Sequence, residues 1–468
     1  MRLLRGVIIA GLLTVAAVPA SAGKRPPLVV AVDKSDSRSL ARLLKKATPK
    51  DLDAFDADAR SPTAGLRAIE VAARKGDEAA VDALLAAGAT ATAKALELAA
   101  GGGQLAMAQQ LVEHGAPRAD LALTAAAKGG FAEVVEALLP AARQADPYFN
   151  LDQVLEFAVY FPEHPSAKVV ELLLRERANP AIAWGPGKQT VLHLAVAKGA
   201  ADVVAVLLAA RAPVDAEDGD GTTPLVSAVR GARFELANAL LAAGADPKRL
   251  NARGEGALSA LVSLEATDAA VAMLDRLLAA GVAVDAAGKD GLTPLMVAAG
   301  AGSRPWVEKL LAKGASVTAR TADGRMPIDL ALACTVGERT WAPPTVSACH
   351  ADVALALLAK PRAPVGGVDE LDRTPFMRAL MTGDAALADR VLALGGAADG
   401  LDHWGNNALH YAARWGTPET VTKLLARMPR DLVDAPDNRG ETPLSVARGA
   451  GRPDIEQLLE AAGAHWSL

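Results

Sequence analysis

A short motif, Thr-Pro followed by a large apolar residue, recurs along the chain and constrains its fold more than any other feature. It occurs in GTTPLVSAVRG from Gly221, GLTPLMVAAGAG from Gly291, DRTPFMRALMTG from Asp372 and GETPLSVARGAG from Gly440. The copies are followed by apolar segments such as ELANALLAAGAD and WVEKLLAKGAS. A unit of this size cannot bury its own apolar face, so we expect the copies to stack on one another.

The residue after the proline position marks each unit, and thirteen such marker residues can be assigned. They are Leu28, Ile69, Leu96, Leu123, Leu155, Leu192, Leu225, Leu258, Leu295, Ile328, Phe376, Leu409 and Leu444. Four of the intervals between them, 192–225, 225–258, 295–328 and 376–409, equal 33 residues. The pattern is strong from Leu192 onward and looser before it.

Each unit is predicted to form two short helices followed by a tight turn. Thr223 is a suitable N-cap, and Pro224 suits the first helical position, where a missing N–H costs nothing. The second helix carries apolar residues at helical spacing. Asp-Gly dipeptides such as Asp220-Gly221 predict a hairpin turn before the next unit. A left-handed glycine is expected to end first helices at Gly199, Gly302 and Gly416.

The 33-residue period with its TPL and LLxxGA motifs resembles the ankyrin repeat. The resemblance implies an all-α repeat solenoid of stacked helix-turn-helix units with short β-hairpin fingers, curved and elongated. An apolar content of 51% with only 3% aromatic residues suits closely packed short helices. We expect irregular repeats over residues 23–180 and regular repeats over residues 181–468.

Two departures from the period have structural consequences. The two intervals between Ile69 and Leu123 are 27 residues long, so we expect truncated fingers there. The interval of 48 residues after Ile328 predicts an insertion at about 334–350, between the two helices of that unit.

Cys334 and Cys349 flank this insertion, and a disulfide between them is expected in an exported chain; two free buried cysteines are the alternative. No zinc site or other metal site is expected, because no second Cys-His pair has ligand spacing.

The first 22 residues have the pattern of a secretory signal peptide. MRLLRG is basic, VIIAGLLTVAAVPA is apolar and ASA is a small-residue cleavage site, so we predict a cut after Ala22. The expected location is the periplasm or the exterior, with no membrane span after cleavage. The net charge of −5 argues against nucleic acid as the main partner.

The stretch DHWGNNALHYAARWG, from Asp402 to Gly416, holds two of the six tryptophans. In the ankyrin pattern DxxGxTPLHLAAxxG, the x positions form the recognition surface. The resemblance therefore implies a partner-binding set of His403, Trp404, Asn406, Arg414 and Trp415. Trp, Tyr and Arg are enriched at interface hot spots. The alternative is that Trp415 packs on the neighbouring finger and that Trp404 is a surface residue of one turn with no role in binding.

The same stretch departs from the family pattern at the helix start. Asn407-Ala408 replaces Thr-Pro, which predicts a looser beginning, and Tyr411 replaces a core leucine. His193 and His410 take the histidine position of TPLH, and we expect each to hydrogen-bond the neighbouring turn rather than act in catalysis.

Two further groups of side chains allow two interpretations each. The aromatic residues of DPYFNLDQVLEFAVYFPEHPS could line a ligand pocket, but space filling beside an irregular unit is favoured. A basic set could suit an acidic partner, but stabilisation of helix C-termini is favoured. This basic set comprises Arg74, Lys75, Lys128, Lys198, Arg230 and Arg253.

The sequence favours a monomeric, non-enzymatic scaffold that binds a partner protein through its concave groove. A narrower version is an inhibitor or immunity protein against a toxin or enzyme in the same compartment. The competing class is an enzyme with an unrecognised site. No nucleophile with a base, no metal cluster and no cofactor loop can be recognised, so no cofactor is expected.

Overall fold

The computed structural model describes residues 25–58, 60–333, 350–361 and 363–465. They fall into two compact units. Unit 1 holds the residues up to 184 together with 190–213, and unit 2 holds 185–189 together with the residues from 214 onward. The predicted signal peptide, Cys334 and Cys349 all lie outside the described residues.

Unit 1 consists of helices, with one short strand pair at its boundary. Its helices are α1 (Pro27–Asp33), α2 (Ser37–Leu44), α3 (Pro49–Leu52), α4 (Ala68–Lys75), α5 (Glu78–Ala86), α6 (Ala93–Gly101), α7 (Leu105–Glu113), α8 (Ala119–Gly129), α9 (Ala132–Ala145), α10 (Leu151–Tyr160), α11 (Ala167–Arg175), α12 (Val191–Lys198) and α13 (Ala201–Ala209). The strands are β1 (Ala183–Trp184) and β2 (Gln189–Thr190).

Apart from Gln189 of β2, the regular secondary structure described in unit 2 is helical. Its helices are α14 (Pro224–Arg230), α15 (Phe234–Ala242), α16 (Ala257–Val262), α17 (Asp268–Ala279), α18 (Pro294–Gly300), α19 (Arg304–Ala312), α20 (Pro327–Ala331), α21 (Ala351–Leu358), α22 (Pro375–Met381), α23 (Ala385–Ala393), α24 (Ala408–Trp415), α25 (Pro418–Leu425), α26 (Pro443–Gly449) and α27 (Pro453–Ala461). A 3₁₀ helix spans Arg430–Leu432.

Apart from α3, the helices form consecutive pairs, and every marker residue lies in the first helix of a pair and is buried. Within unit 1 the first helices pack in the order α1, α4, α6, α8, α10 and α12. Within unit 2, α14, α16, α18 and α20 pack in order, as do α22, α24 and α26. The thirteen predicted units and the all-α repeat fold are therefore confirmed.

The Thr-Pro motif starts first helices in the predicted way. The hydroxyls of Thr223 and Thr293 each accept the backbone N–H three residues later, and proline follows in the first turn. Gly199 and Gly302 have the expected positive φ, but the prediction for Gly416 is wrong. Gly416 has an extended backbone, because Thr417 follows it directly as the N-cap of α25.

Seven turns in unit 2, called finger turns here, precede first helices. They begin at Asp218, Asn251, Gly288, Thr321, Asp369, Asp402 and Asp437. In each, the first residue donates its N–H to the carbonyl of the fifth, and the N–H of the fourth donates back to the first. One such pair of bonds closes a turn, but it does not form the series of inter-strand bonds that makes a β-hairpin. Among the described residues only β1 and β2 form paired strands, so the predicted β-hairpins are mostly turns.

Four junctions between successive finger turns are joined through their main chains. At each of these, the N–H of the second residue in one turn donates to the carbonyl of the third residue in the turn before it. Ala252 donates to Asp220 at 2.7 Å, and His403 donates to Leu371 at 2.9 Å. The same bond joins Ala322 to Asp290 and Asn438 to Trp404. These bonds set the register between successive repeats without using a side chain.

Cationic side chains make a second link, at the C-terminal ends of the second helices. The Lys360 ammonium donates to the Leu311 carbonyl of α19. Arg390 donates to Leu358 of α21 at 2.8 Å, and Arg427 donates to Leu392 of α23 at 2.7 Å. A positive charge at a helix C-terminus is favoured by the helix dipole.

The two intervals predicted to be short correspond to short connections between helices. The connections between α5 and α6 and between α7 and α8 cover only residues 87–92 and 114–118, whereas residues 210–223 separate α13 from α14. The finger is therefore absent from the two short connections. The long interval falls between α20 and α21. In the described portion of the chain, no helix combines the length and the apolar character that a bilayer span requires.

Candidate functional site

Asp402 organises the finger turn that carries the first predicted tryptophan. Its carboxylate is buried, and Oδ1 accepts the backbone N–H groups of Trp404 at 2.9 Å and Asn406 at 2.8 Å. Its Oδ2 accepts the hydroxyl of Tyr411 at 2.7 Å. Donors from two elements therefore hold one carboxylate, which fixes the conformation of the turn relative to α24.

Tyr411 connects this turn to the far end of α24. Burial, followed by the nearby Asp402 charge, raises the pKa of the Tyr411 phenol, so the hydroxyl remains protonated and donates. The Tyr411 ring lies 5.7 Å from the Trp415 ring, and the Arg414 guanidinium lies 5.5 Å from the same indole. The replacement of a core leucine by tyrosine thus joins Trp404 and Trp415 through one side chain.

Two of the five predicted partner-binding residues are exposed, and two are half-buried. His403 and Trp404 are exposed on the turn, with their rings edge to face at 5.9 Å and Trp404 37% exposed. Arg414 and Trp415 are half-buried at the end of α24. Desolvation lowers the pKa of the Arg414 guanidinium.

The expected surface position of Asn406 is not observed. Asn406 is 4% exposed, and its Nδ2 donates to Asp402 Oδ1 at 3.3 Å and to Oδ2 at 3.1 Å. Its place at the end of the finger turn directs the amide back into the turn. Asn406 therefore stabilises the turn and offers no contact surface.

The predicted loose start of α24 is also not observed. Asn407 is fully buried, accepts the Leu409 N–H at 2.9 Å and donates from Nδ2 to the Leu432 carbonyl at 2.7 Å. The Asn407 N–H donates to His410 Nδ1 at 3.1 Å, and His410 Nε2 donates to the Glu441 carbonyl at 2.9 Å. Burial lowers the pKa of His410. This histidine binds the next finger turn, as predicted for a structural role.

Trp415 packs beside the α22–α23 connection of the preceding repeat. It lines a cavity of about 10 Å³ together with Leu380, Gly383 and Asp384. A cavity of this size holds at most one water molecule. One edge of the indole is therefore occupied by the scaffold, which leaves the remaining edge available to a partner.

The third residue of each finger turn, called the tip residue here, shows a feature that the motif comparison missed. The tip residues are Asp220, Arg253, Asp290, Asp323, Leu371, Trp404 and Arg439. Five are charged, and the two apolar ones belong to adjacent turns. Val368 and Leu401, which directly precede these two turns, are also exposed. Aligning the tip position across the units would have found this apolar pair.

The remaining predicted basic residues mostly have scaffold contacts. Arg74 donates to the Pro62 carbonyl at 2.8 Å, Lys75 donates to the Val32 carbonyl, and Lys198 donates to the Pro162 carbonyl at 2.6 Å. Arg230 pairs with Glu255. Within the described ranges, no three His, Cys, Asp or Glu side chains come close enough together to hold a metal ion.

Two family models match the chain over just over half of its length. The model described as "Ankyrin repeats (3 copies)" matches residues 155–251 and 376–467, and "Ankyrin repeats (many copies)" matches residues 277–331. A solved chain, "Crystal structure of the ankyrin repeat domain of Bcl-3: a unique member of the IkappaB protein family", is 27% identical. The match covers 46% of this chain and 94% of that one, with a TM-score of 0.38.

Proposed function

Because the chain belongs to the ankyrin repeat family, whose repeats are generally protein–protein interaction modules, we propose that it is a non-enzymatic scaffold for a partner protein. The proposed contact surface consists of His403 and Trp404 on one finger turn and of Arg414 and Trp415 at the end of α24. Leu371, the tip residue of the preceding turn, extends it.

The observation that carries this proposal is the adjacent pair of apolar tip residues, Leu371 and Trp404. An exposed indole gains free energy when a partner covers it, and charged tips surround this pair on the other finger turns. The Asp402 hydrogen bonds hold the backbone of Trp404 before any partner arrives. A preorganised aromatic anchor loses little conformational entropy on binding, which favours affinity.

Arg414 and Trp415 supply the second part of the surface. Arginine and tryptophan are the residue types most often found at interface hot spots. The guanidinium lies 5.5 Å from the indole, within the range of a cation–π interaction. A partner that contacts Trp404 and this pair together would bury two indoles, and Tyr411 already links the turn that carries Trp404 to Trp415.

Alanine substitution at Trp404 tests the proposal on the full chain. The partner is first captured from a periplasmic extract, identified and prepared separately, and its affinity is then measured calorimetrically. Trp404→Ala is expected to weaken binding by roughly 30-fold or more, since a hot-spot tryptophan contributes about 2 kcal/mol or more. Trp415→Ala should weaken it in the same direction.

Trp184→Ala is the matched control, because Trp184 is also exposed but lies in β1, outside the proposed surface. It should leave the affinity unchanged. Equal affinities of the wild type, Trp404→Ala and Trp415→Ala, with unchanged helicity, would contradict the proposed surface. The scaffold function itself would be contradicted if the purified wild type had catalytic activity and both variants retained it.

We further propose that the chain acts in the periplasm or outside the cell. The support is the signal-like pattern of residues 1–22 and the two cysteines at the ends of the insertion. The mass of the chain purified from a periplasmic fraction is expected to correspond to a start at Gly23. Cys334 and Cys349 should resist alkylation until a reductant is added. An uncut N-terminus, or thiols that react without reduction, would overturn the respective part of this proposal.

A further inference from the structure

The C-terminal end of α10 carries a second candidate surface, in unit 1. The Lys128 ammonium, from α8, lies 4.5 Å from the Phe157 ring centre and 4.3 Å from the Phe161 ring centre. Phe161 contacts Phe157 and Tyr160 edge to face, each at 5.2 Å. Lys128, Phe157, Tyr160 and Phe161 are called the α10 cluster here. The predicted space-filling role does not account for its exposure, since Tyr160 and Phe161 are both more than half exposed.

A second cation approaches the same end of α10 from the following repeat. Lys198, the last residue of α12, donates to the Pro162 carbonyl at 2.6 Å. The two ammonium groups therefore come from α8 and α12, the first helices on either side of α10. Neither has a carboxylate at ion-pair distance in the part of the chain that the structure describes, although Glu163 is exposed in the adjoining loop.

Nearby carboxylates balance the positive charge of Lys128 only in part. Partial burial lowers the pKa of Lys128, and the more distant Glu97 only partly opposes this effect. Glu97 itself pairs with Lys94 at 3.1 Å. A cation that is partly desolvated and held over ring faces gains more from a new counterion than a solvated lysine does, because the interaction is less screened.

We propose that the α10 cluster binds an acidic peptide segment, with a carboxylate of the peptide at Lys128 and an adjacent apolar side chain against Tyr160 and Phe161. The apolar rings favour a peptide over a free phosphate, which offers no surface to cover them. A single-stranded nucleic acid fits less well, because Lys128 already covers the ring faces on which bases would stack.

Selection from a displayed library of random peptides tests this proposal on the full chain without presupposing a sequence. The library is selected on the wild type alone, so that binding to Lys128→Gln remains an independent measurement. We expect the survivors to contain Asp or Glu next to an aromatic or aliphatic residue. A synthetic copy should bind Lys128→Gln at least about tenfold more weakly, and replacing its acids by amides should have a similar effect.

Three variants separate a direct role from damage to the fold. Lys128→Arg keeps the charge and the ring contact and should retain most of the affinity, whereas Lys46→Gln removes an exposed lysine elsewhere and should change nothing. Trp404→Ala should also leave this affinity unchanged, which separates the inference from the proposed function. No enrichment of acidic residues, or acidic peptides that bind Lys128→Gln equally well, would overturn it. So would preferential binding of a single-stranded oligonucleotide or of inorganic phosphate at Lys128.

Discussion

Arg378→Met is expected to lower the free energy of unfolding of the region around it by about 3–5 kcal/mol, the cost of leaving one partner of a buried ion pair alone. Arg378 in α22 is 2% exposed and donates to Asp329 Oδ1 at 2.8 Å and to the Gly367 carbonyl at 2.6 Å. Asp329 in α20 would then keep its charge without the guanidinium. Denaturant unfolding followed by circular dichroism measures the loss.

The same ion pair links α20 to α22, the first helices of two successive repeats, which have the insertion between them in sequence. Asp329 also accepts the N–H groups of Met326 and Gly367, each at 2.9 Å, so the carboxylate retains two donors after the substitution. The loss should therefore lie toward the lower end of the range. Adding Asp329→Asn to Arg378→Met should recover part of the stability, because the unpaired charge is removed.

Arg304→Met provides the matched control on the surface. Arg304 pairs with Glu308 at 2.7 Å, nearly the same distance, but its side chain is 55% exposed. Its loss should cost no more than about 1 kcal/mol, because water and salt screen an exposed pair. Similar losses for Arg378→Met and Arg304→Met would show that burial does not set the energy of the Asp329 pair.

Glu156→Gln is expected to stabilise unit 1 at pH 8 by at most about 3 kcal/mol and to have little effect at pH 4. Glu156 in α10 is 6% exposed, and desolvation raises the pKa of its carboxyl to about 7. In the unfolded chain this carboxyl has its ordinary pKa of 4.5. The folded state therefore binds the proton more tightly, so stability falls as the pH rises through this interval.

The pH dependence distinguishes desolvation from a change in packing. Below about pH 4.5 the carboxyl is neutral in both states, so the amide brings no electrostatic gain. Above pH 7 the folded wild type must bury a charge that the amide lacks. Glu113→Gln, at an exposed position of α7, should change stability by less than about 0.5 kcal/mol at both pH values. A constant difference for Glu156→Gln from pH 4 to pH 8 would contradict this explanation.

The sequence was sufficient to place the helix pairs because each unit repeats the same local chemistry. Thr223 and Pro224 act within three residues, and Leu225 is buried by the neighbouring unit whatever its exact partner. The N-cap, the proline and the buried leucine can therefore be predicted from the spacing of residues in the repeat alone. The position of the insertion could be predicted for the same reason, since the interval after Ile328 exceeds the period.

The errors at the candidate site come from contacts between residues that the repeat pattern does not relate. Asn406 occupies a variable position of the motif, but its amide donates a hydrogen bond to Asp402 in the same turn. The Tyr411 hydroxyl donates to the same carboxylate. Gly416 follows the family spacing, yet the cap of the next helix decides its conformation.

The main-chain bonds between finger turns have a consequence for how the surface can change. At Leu371 and Trp404 the backbone carbonyl accepts the hydrogen bond that joins successive finger turns, and the side chain takes no part in that bond. A substitution at a tip residue therefore changes the surface that the turn presents without removing a bond that joins the repeats. Surface chemistry and assembly thus depend on different atoms of the same residue in this chain.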